Sequence, residues 1–206
     1  MRIRIQTAVA LASLGLVLGA AALRADEKAK APAAPAGMDQ AAMEAMMKAA
    51  TPGPQHQHLA KMVGDWTFTN TFWMAPGAPP QQSTGTMHAE SLLGGRYVQH
   101  TWKGDMMGAP FEGRGTDAYD NVAKQWESTW IDNMGTGMMN GTGSCDEAMK
   151  SCTYSNELWD PMTGKKGSMR SVITWVSDNE FHNEMYAPGP DGKEMKMMEI
   201  VAKRKM

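Results

Sequence analysis

The chain has 206 residues, 42% hydrophobic and 20% charged, which suffices for one sizeable domain and not for two large ones. With 20 Lys and Arg against 22 Asp and Glu, the net charge of -2 excludes a strongly basic nucleic-acid footprint. Its 2 cysteines exclude a disulfide-rich mini-protein and, by themselves, a four-ligand zinc site.

Residues 1–25 read as a secretory signal peptide. Arg2 and Arg4 precede an uncharged apolar run from Thr7 to Leu23, and small residues follow at Ala20, Ala21, Ala22 and Ala25. Cleavage is expected after Ala25, which predicts a periplasmic or secreted protein with no stable membrane insertion. The competing reading is an uncleaved anchor, because the run approaches spanning length. Residues 26–37, rich in Ala and Pro with no large apolar side chain, read as a flexible linker. Residues 38–63 read as a helical segment. Asp39 is a candidate cap, and Met43, Met46, Met47 and Ala50 fall on one face. Thr51-Pro52-Gly53-Pro54 stops this helix, and a second short one follows from Gln55 to Val63.

From Trp66 onward, short segments rich in Thr, Trp, Val and Tyr alternate with Gly, Pro, Asn and Asp clusters. Strands are predicted at 65–74, 83–91, 96–104, 110–119, 124–132, 136–145, 151–159, 166–176, 179–187 and 193–204. Leu93-Gly94-Gly95, Asp120-Asn121 and Pro190-Asp191-Gly192 are hairpin turns, and no helical pattern interrupts the strands to allow parallel crossovers. Consecutive hairpins leave two exposed edges unless the sheet closes. The fold class expected is therefore mainly β: a single antiparallel up-and-down β-barrel of about ten strands over residues 64–206, preceded by short N-terminal helices. Gly64 allows close backbone approach, Trp66 can plug one barrel end, and a cation of the last strand, from the pair Lys203 and Arg204, can pack over the Trp66 ring. An ordinary core tryptophan is the alternative.

Eight segments carry a resemblance. They are Trp73-Met-Ala-Pro-Gly-Ala-Pro-Pro80, Leu93-Gly-Gly-Arg96, Phe111-Glu-Gly-Arg-Gly115, Tyr119-Asp-Asn121, Thr129-Trp-Ile-Asp132, Asp160-Pro-Met-Thr-Gly164, Gly189-Pro-Asp-Gly-Lys193 and Lys196-Met-Met-Glu-Ile200. In this order they resemble the bacterial DUF1579 family, over a span from about Met38 to Lys205. The resemblance implies a calycin-like barrel, related in architecture to lipocalins and nitrobindins, and implies no established activity. The pair Cys145 and Cys152 departs from it.

Cys145 and Cys152 flank a polar turn between two predicted strands and can face each other across the ladder, so a structural disulfide is expected in an oxidising compartment. Free thiols are the alternative. Glu112 and Arg114 share one face of a strand, and Glu127, Arg170 and Glu184 lie mid-strand. Turned inward, such an arginine would grip a ligand carboxylate or phosphate; turned outward, it is ordinary barrel surface. Trp126 and Trp130 share a strand face and, with Trp102, Trp175 and Tyr186, either wall an aromatic pocket or seal a filled core. His182 is a ligand candidate because a late histidine binds haem iron in nitrobindin-like barrels; a solvent-facing histidine is the plainer reading. His56-Gln57-His58 is a weak surface-metal candidate. The 21 methionines, among them Met106-Met107, Met134, Met138-Met139 and Met195-Lys196-Met197-Met198, suit soft-metal ligation or adaptable packing.

No nucleophile elbow, zinc-protease helix or phosphate loop is present. The sequence thus predicts an exported barrel binding a small hydrophobic or amphipathic molecule, with no catalytic residue, no cofactor and no metal site. The alternatives are a haem- or copper-binding redox barrel and a structural or stress-related interaction protein with a filled interior.

Overall fold

A computed structural model describes residues 39–161, 163–189 and 191–206. The signal and linker segments expected at 1–25 and 26–37 lie outside the described residues.

The helix α1 spans Gln40–Ala50 and α2 spans Pro54–Leu59, with one 3-10 turn at Ala60–Met62. Asp39 caps α1 by accepting from the Ala42 N–H at 2.7 Å. Thr51 then leaves helical geometry, and Pro54 opens α2 at a position where its missing N–H costs nothing.

Ten strands follow: β1 Gly64–Phe72, β2 Gln81–Leu92, β3 Tyr97–Met106, β4 Ala109–Asp120, β5 Gln125–Asp132, β6 Met139–Cys145, β7 Ser151–Asp160, β8 Lys165–Ser177, β9 Glu180–Pro188 and β10 Glu194–Arg204. Each pairs antiparallel with its sequence neighbour, and β1 pairs with β10, so the sheet is a closed barrel with no free edge. The expected fold class is the observed one. The predicted strand ends agree with the observed ones to within two residues except at one boundary. The strand expected from residue 136 begins at Met139, because the β5 ladder ends at Trp130↔Met139 and the Asp132 carboxylate turns the chain by accepting from the Met134 N–H at 2.9 Å.

Burial alternates along β1, β3, β4 and β7, and the ladder register carries the same parity round the other strands, which identifies the inward face. On β1 it comprises Trp66, Phe68, Asn70 and Phe72; on β4 it comprises Gly113, Gly115, Asp117 and Tyr119. Burial also fades along the barrel axis. The end beneath α2 is packed solid by Leu59, Met62, Trp66, Met87, Trp126 and Phe181. Toward the opposite end the inward positions Phe72, Met139, Leu158, Met169, Met185 and Met198 become partly exposed. The barrel is plugged at one end, and toward the other its inward side chains are packed less completely; that less-packed end is called the open end below.

Candidate functional site

The plugged end is built around Trp66. Its Nε1–H donates to the Met62 carbonyl at 2.8 Å, and the Arg204 guanidinium lies 4.2 Å from the ring centroid. Arg204 also donates to the carbonyls of Lys61 at 2.6 Å and Val63 at 2.8 Å, tying the last strand to the chain that enters the first. Gly64 makes this approach possible. Its φ is +125°, and a Cβ there would stand 2.9 Å from the arginine.

Beneath this plug lies a polar interior. Trp102 Nε1–H donates to His100 Nδ1 at 2.7 Å. An indole N–H only donates, so the ring proton of His100 sits on Nε2, which faces Asp117 Oδ2 at 3.3 Å. Gly115 leaves the room this ring occupies, since a Cβ there would lie 2.1 Å from His100 Cε1. His58 on α2 stands edge-on to Trp126 and Trp175, with centroids at 5.7 and 5.8 Å, and its buried Nε2 has no hydrogen-bond partner among the described residues. Burial holds His58 below the ordinary histidine value, with the nearby Lys61 charge adding to the effect. Burial likewise pushes the Tyr154 phenol far up, assisted by Asp117. His58, Asp117, Trp126, Tyr154 and Trp175 are among the residues lining a cavity of about 20 Å³, the scale of a single water.

The open end is different in kind. Phe72, Met198 and Met185 pair in register across β1, β10 and β9, forming one inward apolar row at the mouth. Two residues deeper, Asn70, Ile200 and Asn183 form the next row in the same register. The carboxamide oxygens of Asn70 and Asn183 are buried and have no hydrogen-bond partner among the described residues. Asn156, on β7, instead has its amide nitrogen engaged: Nδ2 donates to Ser171 Oγ at 2.8 Å and to the Met169 carbonyl at 3.2 Å.

The charged residues expected from the sequence lie elsewhere. Glu112, Arg114, Arg170, His182 and Tyr186 occupy the outward parity of their strands, so the inward arginine considered for ligand binding is corrected: neither Arg114 nor Arg170 enters the interior. They satisfy one another on the outer wall. Arg114 Nη2 meets Glu112 Oε1 at 3.1 Å, and that hydrogen bond holds the Glu112 carboxyl below its usual range. Arg170 grips Glu194 through two nitrogens, at 2.9 and 2.6 Å, and lies over the Tyr186 ring at 4.1 Å. Glu184 accepts from Tyr186 at 3.1 Å and from Lys196 at 2.9 Å. His182 Nε2 sits 3.0 Å from Glu180 Oε1, so it is not aimed at the interior as a haem ligand would be.

Trp126 and Trp130 do face inward. Trp126 belongs to the packed end, and Trp130, with Nε1 donating to Asp132 Oδ2 at 2.8 Å, sits between core and mouth. Of the methionines singled out, Met107, Met134 and Met138 are exposed, whereas Met139 and Met198 reach the mouth. Cys145 and Cys152 face each other in register at the plugged end of β6 and β7, with Cα atoms 3.9 Å apart and sulfurs within bonding distance. Sequence reasoning missed His100, Asp117, Asn70 and Asn183; the signal available was polar side chains sharing strand parity with aromatic ones. It treated His58 as a surface candidate, whereas the residue is buried.

A family model described as "Protein of unknown function (DUF1579)" matches residues 51–204, and the chain belongs to that family. No curated protein is similar to it. Among solved structures, Rv2717c from M. tuberculosis superposes with a TM-score of 0.56 at 12% identity, over 76% of this chain and 100% of that one. The S-type phycobiliprotein lyase CPES from Guillardia theta gives a TM-score of 0.49 at 8% identity, over 78% of this chain and 97% of that one. The likeness to Rv2717c is one of fold.

Proposed function

We propose that this DUF1579 barrel binds a small amphipathic molecule through its open end, as an exported binding or carrier protein. One observation carries the reading. An apolar row of Phe72, Met198 and Met185, partly exposed, lies directly above Asn70 and Asn183, whose buried carboxamide oxygens find no donor among the described residues. Leaving a buried acceptor unpaired costs about 1–3 kcal/mol, and a ligand that donates hydrogen bonds there removes the cost. Methionine side chains adapt to irregular apolar shapes, which suits a chain or ring lodged above the asparagines. The ligand class is therefore an apolar body with a neutral N–H or O–H head. The expected signal peptide and cysteine pair support action outside the cytoplasm.

The test uses decanol, decanamide and decyl methyl ether as probes, followed by intrinsic tryptophan fluorescence. Decanol and decanamide are expected to bind about tenfold more tightly than the ether, which cannot donate. Met198→Glu is expected to abolish binding, and Asn70→Leu to remove the preference for donor heads. If no probe binds up to its solubility, or Met198→Glu binds as well as the parent, the reading fails and a filled structural barrel takes its place.

A further inference from the structure

A second cleft, separate from the barrel mouth, has a volume of about 370 Å³ and lies where the end of α1 and α2 meet the outer rim of β3, β4 and β5. That is the scale of a small-molecule site. Most of the polar groups around it are already engaged. Asn121 Nδ2 donates to the carbonyls of Ala49 at 3.0 Å and Thr51 at 2.8 Å, anchoring the end of α1. The Asp120 carboxylate accepts from the N–H groups of Val122 at 2.6 Å and Ala123 at 3.0 Å. His56 Nδ1 accepts from the Gly53 N–H at 3.0 Å.

Beside the Asp120 carboxylate, whose charge is held by the Val122 and Ala123 N–H groups, two opposite charges stand on the cleft. Arg96 donates to the Leu93 carbonyl at 2.8 Å, and Glu127 accepts from Gln125 Nε2 at 3.2 Å. Neither takes part in an ion pair among the described residues. Their separation is fixed by the sheet. Tyr97, Ala118 and Glu127 stand in register on three adjacent strands, and Arg96 immediately precedes Tyr97. Two strand spacings, about 10 Å, therefore separate the backbones that carry the charges. The small side chain of Ala118 lies between them, and the Tyr97 and Tyr119 rings contribute to the walls.

We infer that this cleft binds a small zwitterion of the amino-acid or short-peptide class. Arg96 takes the carboxylate, Glu127 takes the ammonium, and the alanine floor and tyrosine rings hold the part between. A purely anionic ligand would meet the Glu127 charge, and a purely cationic one the Arg96 charge. A molecule carrying both signs at its two ends satisfies both residues at once.

The probe is dialanine, titrated calorimetrically into the full chain beside N-acetyl-dialanine, which lacks the ammonium, and dialanine amide, which lacks the carboxylate. Dialanine is expected to bind, and each blocked form to bind about tenfold more weakly or worse. Arg96→Glu and Glu127→Arg are each expected to abolish binding, and the double exchange to restore it with the peptide reversed. The neutral variants Arg96→Gln and Glu127→Gln check the same loss without charge reversal, and their melting temperatures are expected to match the parent. The inference is overturned if dialanine does not bind at about 10 mM, above the weakest specific range, or if the blocked peptides bind equally well. It is overturned too if a folded double exchange fails to regain binding. Because the cleft and the mouth share no residue, this result and that of the decanol series are independent.

Discussion

Trp66 is fully enclosed, and it collects more kinds of interaction than any ordinary core residue needs. Its ring meets Phe181 edge-on at 5.2 Å and Trp175 at 6.1 Å, its face carries the Arg204 guanidinium, and its N–H is satisfied by the Met62 carbonyl. Replacing it with Ala removes the aromatic contacts and leaves Arg204 over a cavity. Trp66→Ala is therefore expected to lower stability by about 3–5 kcal/mol, read from chemical denaturation. A loss under about 1 kcal/mol would mean that the plug does not bear on global stability. The Gly64-Asp65-Trp66 segment was readable because a glycine, a strand start and a tryptophan coincide. His100 was not readable in the same way. The one local signal was Trp102, two residues on along the same strand face, whereas Asp117 becomes a neighbour through sheet register alone.

At the scale of elements, the β6–β7 hairpin has the sharpest consequence. Cys145 and Cys152 close a loop of sequence separation 7 directly across the ladder, so the entropy removed from the unfolded chain is small. A disulfide there is expected to add about 2 kcal/mol and no more. Protein taken from an oxidising compartment should be two hydrogens lighter than its sequence mass, and reduction should lower the melting temperature without unfolding the barrel. Full alkylation of both cysteines in unreduced, denatured protein would show that no bond forms. The strands were legible because turn residues such as Leu93-Gly94-Gly95 and Asp120-Asn121 punctuate them clearly. The helix α1 was legible as a helix and not as a packed one. Its spacing placed Met43, Met46, Met47 and Ala50 on one face, yet α1 buries no residue, and Met46 and Met47 are more than half exposed. Helical periodicity reports a face and not its partner. The observed anchor is the Asn121 side chain at the carbonyl end, a contact across 72 residues that no local pattern encodes.

For the whole molecule, the sequence concealed which strand face is interior, and the reason is physical. The inward face carries His100, Asp117, Asn156 and Ser171, while the outward face carries Ile131 and Val176, so neither parity is cleanly apolar. The charged pairs that suggested a polar cavity turned out to neutralise one another outside, where solvent screens them and their contribution is small. The same distribution makes the plugged end sensitive to pH. His56 packs edge-on to Tyr119, and burial holds it below the ordinary value of 6.5, with the Arg96 charge acting in the same direction against a backbone bond at Tyr119. His58 is held below 6.5 by burial and by Lys61, with Asp146 opposing, and Asp117 lines the same cavity. A histidine lowered in the fold binds its proton later than in the unfolded chain. Between the two values the unfolded chain holds more protons, so stability rises with pH there and falls on acidification. Melting temperature is thus expected to be level above about pH 7 and to decline as pH drops below 6.5 toward the folded values, before the carboxylates begin to titrate. His58→Phe keeps a ring between Trp126 and Trp175 but has nothing to protonate, so its profile should be flatter over the same window. A parent protein whose melting temperature holds or rises from pH 7 to pH 5 would mean that α2 is not seated on neutral histidines.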